Sequence, residues 1–221
     1  MDKDDSETTQ LSRPARKRNP EESRRRILDA AERAFSLRGF AGARLRDIAQ
    51  EAGVHHALVH HYYGDKRGLF QEVVKRGLGR ISNAGLETLE GETTLETTTR
   101  AFVGTLFDFC ANNQNLLRII EGAFRDREGV SFGVTEEQLG TLAGPLLETL
   151  KKRIELGQNT GVVRKDISAE SIILLGFGAI VYRFITAESL LGAMGIAPEE
   201  TDPTTDREHA IQYLLAAMAP R

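Results

Sequence analysis

The sequence predicts an all-α protein: an N-terminal three-helix head and a helical body, with about nine helices in all. Apolar residues recur at helical spacing along most of the chain after residue 19, and no stretch has the two-residue alternation of a half-buried strand. Residues typical of helix starts stand before several of these segments, as at Asn19-Pro20, Asp65 and Ser168. With 40% hydrophobic residues in 221, the chain is able to bury a core.

Charge varies along the chain in parallel with the expected domains, which are an arm without regular structure at 1–18, a head at 19–80 and a body at 81–221. The segment 13–80 holds sixteen Lys and Arg against eight Asp and Glu, whereas 81–221 holds twelve against twenty. A basic head on an acidic body favours a nucleic-acid contact confined to one end. The basic end of the arm suits either a DNA contact or a solubilising tail, and both alternatives stay open.

The segment from Leu45 to Lys66 predicts two short helices joined by a tight turn. Gly53 supplies the left-handed backbone that ends the first helix. The second helix begins near His55 and presents mostly polar residues outward. Four apolar residues share the inner face of the first helix: Leu45, Ile48, Ala49 and Ala52. A helix, a turn and a short second helix form the helix-turn-helix plan, in which the second helix enters the major groove of DNA.

The same segment carries a resemblance to a known family. Its blocks are Arg46-Asp47-Ile48-Ala49, Ala52-Gly53-Val54, Tyr62-Tyr63-Gly64-Asp65-Lys66 and Leu69-Phe70. In this combination, from about Ile27 to Val74, the sequence resembles the TetR family of bacterial one-component repressors. The resemblance implies an all-helical homodimer with an operator-binding head and a divergent ligand-binding body. Its implied partners are a double-stranded DNA operator and an unknown small-molecule effector.

Nine residues are predicted to contact DNA on the basis of this resemblance and of their positions in the motif. Arg46 is placed to reach a guanine edge or a phosphate, and His56, Ala57 and His60 face the groove. Arg44 and His55 replace the Thr or Ser that is common at their positions in the family, and Arg44 could reach a phosphate instead of capping its helix. The full set is Arg44, Arg46, His55, His56, Ala57, His60, His61, Tyr62 and Lys66. Tyr62 and Lys66 are expected to hold phosphates and to set the register on the duplex.

A metal site and an enzyme active site are the two other functional classes. His56 and His60 lie four residues apart on one helix face, but two ligands without a nearby cysteine are too few for a structural zinc. We therefore favour DNA contact and expect no metal, while a ligand- or metal-binding helical protein without operator binding remains the alternative. The sequence contains no Gly-rich phosphate loop and no HExxH motif, so we expect no catalytic residues, no cofactor and no enzyme activity.

The body predicts a cavity for the effector, because buried apolar helices with a few polar groups suit such a site. The candidate ligand-binding residues are Phe102, Phe109, Arg118, Phe124, Phe177 and Tyr182. For each of them, an ordinary place in the core or on the surface is the alternative.

The remaining features bear on location and assembly. The single cysteine, Cys110, fits a reducing cytosol and a buried structural thiol. The polar N-terminus is unlike a signal peptide, and the apolar run 172–182 is shorter than the roughly 20 residues that span a bilayer. We expect a cytoplasmic protein without a membrane partner. The helix 168–191 is apolar almost all round, so it is expected to be buried on most sides and to pair, with the helix 205–218, across a two-fold axis.

Overall fold

The computed structural model describes residues 19–91, 94–125, 135–197 and 202–220, apart from the side chains of residues 120–125, 187, 188 and 203. Within these ranges the chain forms nine α-helices and no strand, as the sequence predicts. In order they are α1 (Pro20–Gly42), α2 (Leu45–Glu51), α3 (His56–Tyr63), α4 (Lys66–Leu89), α5 (Leu95–Asn112), α6 (Gln114–Arg125), α7 (Glu136–Thr160), α8 (Ala169–Ala193) and α9 (Pro203–Met218). The arm expected at 1–18 lies outside the described residues.

Side-chain caps begin several helices where the sequence places them. The Asn19 side chain accepts a hydrogen bond from the Glu21 N–H (3.1 Å), and Ser168 accepts one from the Ser171 N–H (3.2 Å). Each satisfies a backbone donor that the first helical turn leaves without a partner. α9 begins at Pro203, two residues earlier than expected, because Asp202 caps it and proline suits the first helical position.

The head is α1, α2, α3 and the first half of α4, packed around one apolar core. Phe35 and Phe70 meet edge to face at its centre, with ring centroids 5.0 Å apart. Ile48 from α2 and Val59 from α3 are fully buried in the same cluster. Since burying one such side chain stabilises a fold by about 1.5–3 kcal/mol, these contacts hold α3 in a defined position on the head.

Two helices connect the head to the body. α4 has 24 residues, a length of about 36 Å, and is continuous across residue 80, where the sequence analysis places the domain boundary. From α6, Ile119 joins the head core, and Leu116 packs so closely on α4 that a Cβ at Gly77 would lie 2.3 Å from its side chain. Gly77 therefore permits this contact, because a larger residue would require the Leu116 side chain to move.

The body core lies between α5, α6, α8 and α9. Leu106 and Phe107 of α5 pack there against Ile180 of α8 and Ile211 of α9. Cys110 is fully buried in this cluster, and burial raises the pKa of its thiol to about 12. The thiol is therefore protonated and enclosed, which confirms the buried position expected from its apolar surroundings.

The expectation that α8 is buried on most sides is wrong for the single chain. Leu174, Leu175 and Tyr182 are 73%, 65% and 63% exposed, because α5, α6, α7 and α9 pack on the other side of the helix. Among the described residues one stretch, Ala169–Thr186, is long and apolar enough to cross a membrane by length and composition alone, and 11% of it is buried. Arg183 within that stretch forms an ion pair with Asp206 of α9.

Candidate nucleic-acid interface

The turn between α2 and α3 has the backbone that the sequence predicts. Gly53 has φ 63°, in the left-handed region that favours glycine, and the Val54 N–H donates to the Ala49 carbonyl (3.0 Å). His55 then caps α3, since its Nδ1 accepts a hydrogen bond from the Ala57 N–H (3.3 Å). His55 thus has the capping role that Ser or Thr commonly has at this position, and only its remaining ring atoms can meet DNA.

The outer face of α3 is polar and open to solvent. His56, Ala57, His60 and His61 are all exposed, and the rings of His56 and His60 lie 4.6 Å apart, edge to face. The His60 Nδ1 lies 2.7 Å from the Gly64 carbonyl oxygen, which can only accept, so this nitrogen carries the hydrogen. In the neutral ring the Nε2 of His60 is therefore a hydrogen-bond acceptor, and the contact with Gly64 sets the orientation of the ring.

Arginines beside α3 supply positive charge. Arg44 and Arg46 are exposed and have no hydrogen bond or ion pair with another residue in the described part of the chain. The nearby arginines of α1 are engaged instead, since Arg38 binds Asp47 (3.0 Å) and Arg33 binds Glu51 (2.6 Å). These two pairs offset the acidic residues of α2, and Arg44 and Arg46 remain as exposed cations without an ion-pair partner among the described residues.

Tyr62 has a neighbour that the sequence analysis missed. The guanidinium of Arg24, from α1, lies 4.8 Å from the centroid of the Tyr62 ring, a cation–π contact that brings a cation to the edge of α3. The neighbouring Tyr63 points inward and its hydroxyl donates to the Arg24 carbonyl (3.2 Å). The run of three arginines at 24–26 is the feature of the sequence that could have predicted a cation here, because it places positive charge on the helix that supports the motif.

The structure gives Lys66 a role that differs from the expected one. Its ammonium donates to the carbonyls of Ala41 (3.1 Å) and Ala43 (2.9 Å) and lies 4.7 Å from the centroid of the Phe40 ring. Lys66 therefore ties the start of α4 to the connection between α1 and α2. An ammonium has three hydrogens, so one is left for the predicted phosphate contact.

Comparison with known proteins agrees with this geometry. The model of "Bacterial regulatory proteins, tetR family" matches residues 27–73, which contain α2, the turn and α3. This match, together with the curated relatives that follow, supports a TetR-family transcriptional regulator. It is 27% identical to the HTH-type transcriptional repressor SCO4008 of Streptomyces coelicolor over 161 residues, 72% of this chain and 76% of that protein. It is 25% identical to the HTH-type transcriptional regulator YdgC of Bacillus subtilis, over 90% of this chain and 94% of that protein.

The likeness in fold extends to the body. The fatty acid degradation regulator FadR from Bacillus halodurans superposes with a TM-score of 0.70 over 88% of this chain and 98% of that chain, at 17% identity. At 17% identity the likeness shows a shared fold and does not show a shared function. The role of a transcriptional regulator is supported by the match at residues 27–73 and by the curated relatives, and not by this likeness.

The body of the regulator contains a cavity of about 1070 Å³. Its lining comes from the first half of α5, the second half of α7, the first half of α8 and the second half of α9. All four segments lie at the end of the body away from the head. Phe102 and Phe177, two of the six predicted ligand-binding residues, line the cavity and contact each other with centroids 5.5 Å apart.

The other predicted ligand-binding residues do not line this cavity. Phe109 lies nearer the head, 5.6 Å from the guanidinium of Arg80, and Arg118 of α6 is exposed. Tyr182 points outward from α8 into a shallow groove along α9. The side chain of Phe124 is outside the described residues. Two inner polar residues of the cavity, Thr98 and Arg153, were not among the six predicted residues. Helical spacing alone does not show which helix face lines the cavity.

Proposed function

We propose that this protein is a cytoplasmic repressor that binds a near-palindromic operator as a homodimer and releases it when a small-molecule effector binds. One observation carries the proposal: a single helix, α4, joins the DNA-binding surface to the edge of the cavity. Its first residue, Lys66, is fixed to the head, and its last, Leu89, accepts a hydrogen bond at its carbonyl from Arg153 (2.6 Å).

Binding of an operator is supported by the charge and exposure around α3. The four exposed residues of its outer face suit base edges, and Arg44 and Arg46 suit phosphates or guanine. Arg24 and Tyr62 add a contact at the edge. In a dimer, two such surfaces have to lie about 34–36 Å apart, one turn of DNA.

Homodimerisation is supported by the unburied apolar face of α8 and α9. Leu174, Leu175 and Tyr182 of α8 and Tyr213 of α9 are each more than 60% exposed, and the two tyrosines and two leucines border one groove. A contiguous apolar patch marks an interaction site rather than an ordinary surface. Pairing with the same face of a second copy gives a four-helix bundle and covers this patch.

Release by an effector follows if the ligand prefers one arrangement of the two heads. A ligand shifts a conformational equilibrium only by its difference in affinity for the two states. Because α4 reaches from the cavity edge to the head, a small change at Leu89 alters the position of the head. A dimer with its α3 helices too close or too far apart then no longer fits one DNA turn.

The experiment is an electrophoretic mobility shift with DNA from upstream of the protein's own gene, combined with sedimentation of the free protein. We expect a specific shift and a dimer at micromolar concentration. Leu175→Glu should give a monomer with weakened DNA binding, whereas Leu147→Glu, on the exposed side of α7, should change neither. A folded dimer that shifts no upstream fragment would instead favour a ligand- or metal-binding helical protein without operator binding.

A further inference from the structure

In the part of the chain that the structure describes, the inner polar groups of the cavity occur on two of its four helices. Thr98 and Thr99 of α5 are buried, and Arg153 of α7 is half-buried. Among the described residues, α8 and α9 place one polar side chain at the cavity, Gln212, which is exposed at the rim. The rest of their wall is made of Ile172, Ile173, Gly176, Phe177, Ile180, Leu214, Leu215 and Met218. The other polar lining residues are exposed at the rim, apart from Arg100, which is held by Glu208 (2.9 Å).

Arg153 and Thr98 form an oriented pair at the polar side. Arg153 donates from Nη1 to the Thr98 hydroxyl oxygen (3.1 Å) and from Nη2 to the Leu89 carbonyl (2.6 Å). Because the Thr98 oxygen accepts from Arg153, its own hydrogen is directed elsewhere, and it meets no acceptor among the described residues. An oxygen atom of a bound molecule beside Thr98 is able to accept this hydrogen.

The remainder of the cavity suits a flexible apolar chain. Its volume of about 1070 Å³ is at the upper end of the range for small-molecule sites. The walls are mainly aliphatic, and the two lining aromatic rings, Phe102 and Phe177, already pack against each other. Leu156 and Val162, 64% and 50% exposed, place apolar side chains at the rim. An apolar molecule therefore meets apolar surface from the rim inward.

We propose that this cavity binds an acyl chain whose head-group oxygen accepts hydrogen bonds from the Thr98 hydroxyl and the Arg153 guanidinium. The chain lies along the aliphatic wall of α8 and α9, and the head lies against α5 and α7. The head can be a carboxylate or an uncharged ester, since both present an acceptor oxygen. The regulatory consequence of binding rests on the proposed function, because Arg153 also holds the end of α4.

The test measures binding to the purified full-length protein by calorimetry, with dodecanoate, methyl dodecanoate and pyrene as probes. We expect an acyl probe to bind with one site per protomer and pyrene to bind at least tenfold more weakly. A preference for dodecanoate over its ester identifies a charged head, and equal affinities identify an uncharged one. Failure of both acyl probes to bind, or tighter binding of pyrene, would overturn the proposal.

A matched pair of variants locates the site. Gly176 lines the cavity, and a Cβ there meets only Leu214 at 3.6 Å, an ordinary contact, so Gly176→Leu fills the cavity with little strain. Gly140 of α7 is exposed with no atom within 4 Å of an added Cβ, so Gly140→Leu is the control. The first should weaken acyl binding at least tenfold and the second should not. Equal affinities for the two variants would place the chain elsewhere.

The head-group contact is tested by removing one hydroxyl. Thr98→Val keeps the shape of the side chain and should weaken both acyl probes about fivefold to tenfold, with the secondary structure unchanged. Unchanged affinity would refute the assigned head position. Operator binding without any probe is measured in parallel: its absence contradicts the proposed function alone, whereas acyl binding that leaves operator affinity unchanged contradicts only the effector role.

Discussion

The substitution Lys66→Met tests whether Lys66 stabilises the fold or only contacts DNA. In the free protein the ammonium binds the carbonyls of Ala41 and Ala43, so its loss leaves one exposed and one partly buried acceptor without their donor. Hydrogen bonds that involve a charged group contribute about 1.5–3 kcal/mol each. Lys66 is only partly buried, and methionine retains a contact with the Phe40 ring, so the lower end applies.

The expected loss is about 2–3 kcal/mol of unfolding free energy. For a chain of this length 1 kcal/mol shifts the melting temperature by about 2–4 °C, which gives a decrease of roughly 4–12 °C. The assay is thermal unfolding followed by far-ultraviolet circular dichroism, in the absence of DNA. Arg67→Met is the matched control, because Arg67 is the next residue, is exposed and has no ion pair or hydrogen bond with another described residue.

Operator affinity of the same two variants completes the comparison. Both remove one positive charge near the DNA, so both should weaken binding through the lost long-range attraction. Only Lys66→Met should also melt earlier. If Lys66→Met melts with Arg67→Met and the wild type but loses far more operator affinity, the phosphate contact is the main role and the structural assignment is wrong.

Two further predictions concern the head. Arg46→Ala and His56→Ala should relax base preference by about 1–3 kcal/mol at one position, whereas Tyr62→Phe should weaken binding to all DNA sequences alike. A common operator ranking for all three variants would refute the assignment. Burial, followed by the negative charge of Glu72, raises the pKa of Tyr63 to about 12, above its ordinary value of 10.0. The neutral phenol therefore contributes stability that is present below pH 10 and is lost as pH rises toward 12. In denaturant unfolding measured against pH, Tyr63→Phe should remove this decrease in stability between pH 10 and pH 12.

The sequence predicts the helices and the motif well because their signals are local. The caps at Asn19, Asp65 and Ser168 and the positive φ of Gly53 depend on residues within one turn of the chain. The same holds for α3, whose polar outer face follows from helical spacing. The exposed outer face of α3 could therefore be predicted from the sequence.

Lys66 shows where local reasoning ends. Its position beside the start of α4 suggests a phosphate contact, but its partners are carbonyls of residues 41 and 43, more than twenty positions earlier. The cavity is a similar case, since Phe109 and Phe177 are equivalent as residue types and only Phe177 faces the space. Helical spacing defines a face, but it does not define which neighbour covers that face.

The sequence by itself determined that the chain is helical, that a basic head precedes an acidic body and that the head carries a helix-turn-helix, because periodicity, caps and charge are properties of short segments. Only the tertiary structure decided that Lys66 binds backbone carbonyls, that the cavity lies at the end of the body away from the head and that one side of α8 is left uncovered. Each of these depends on how helices distant in sequence pack together, and that packing is set by the whole set of contacting side chains.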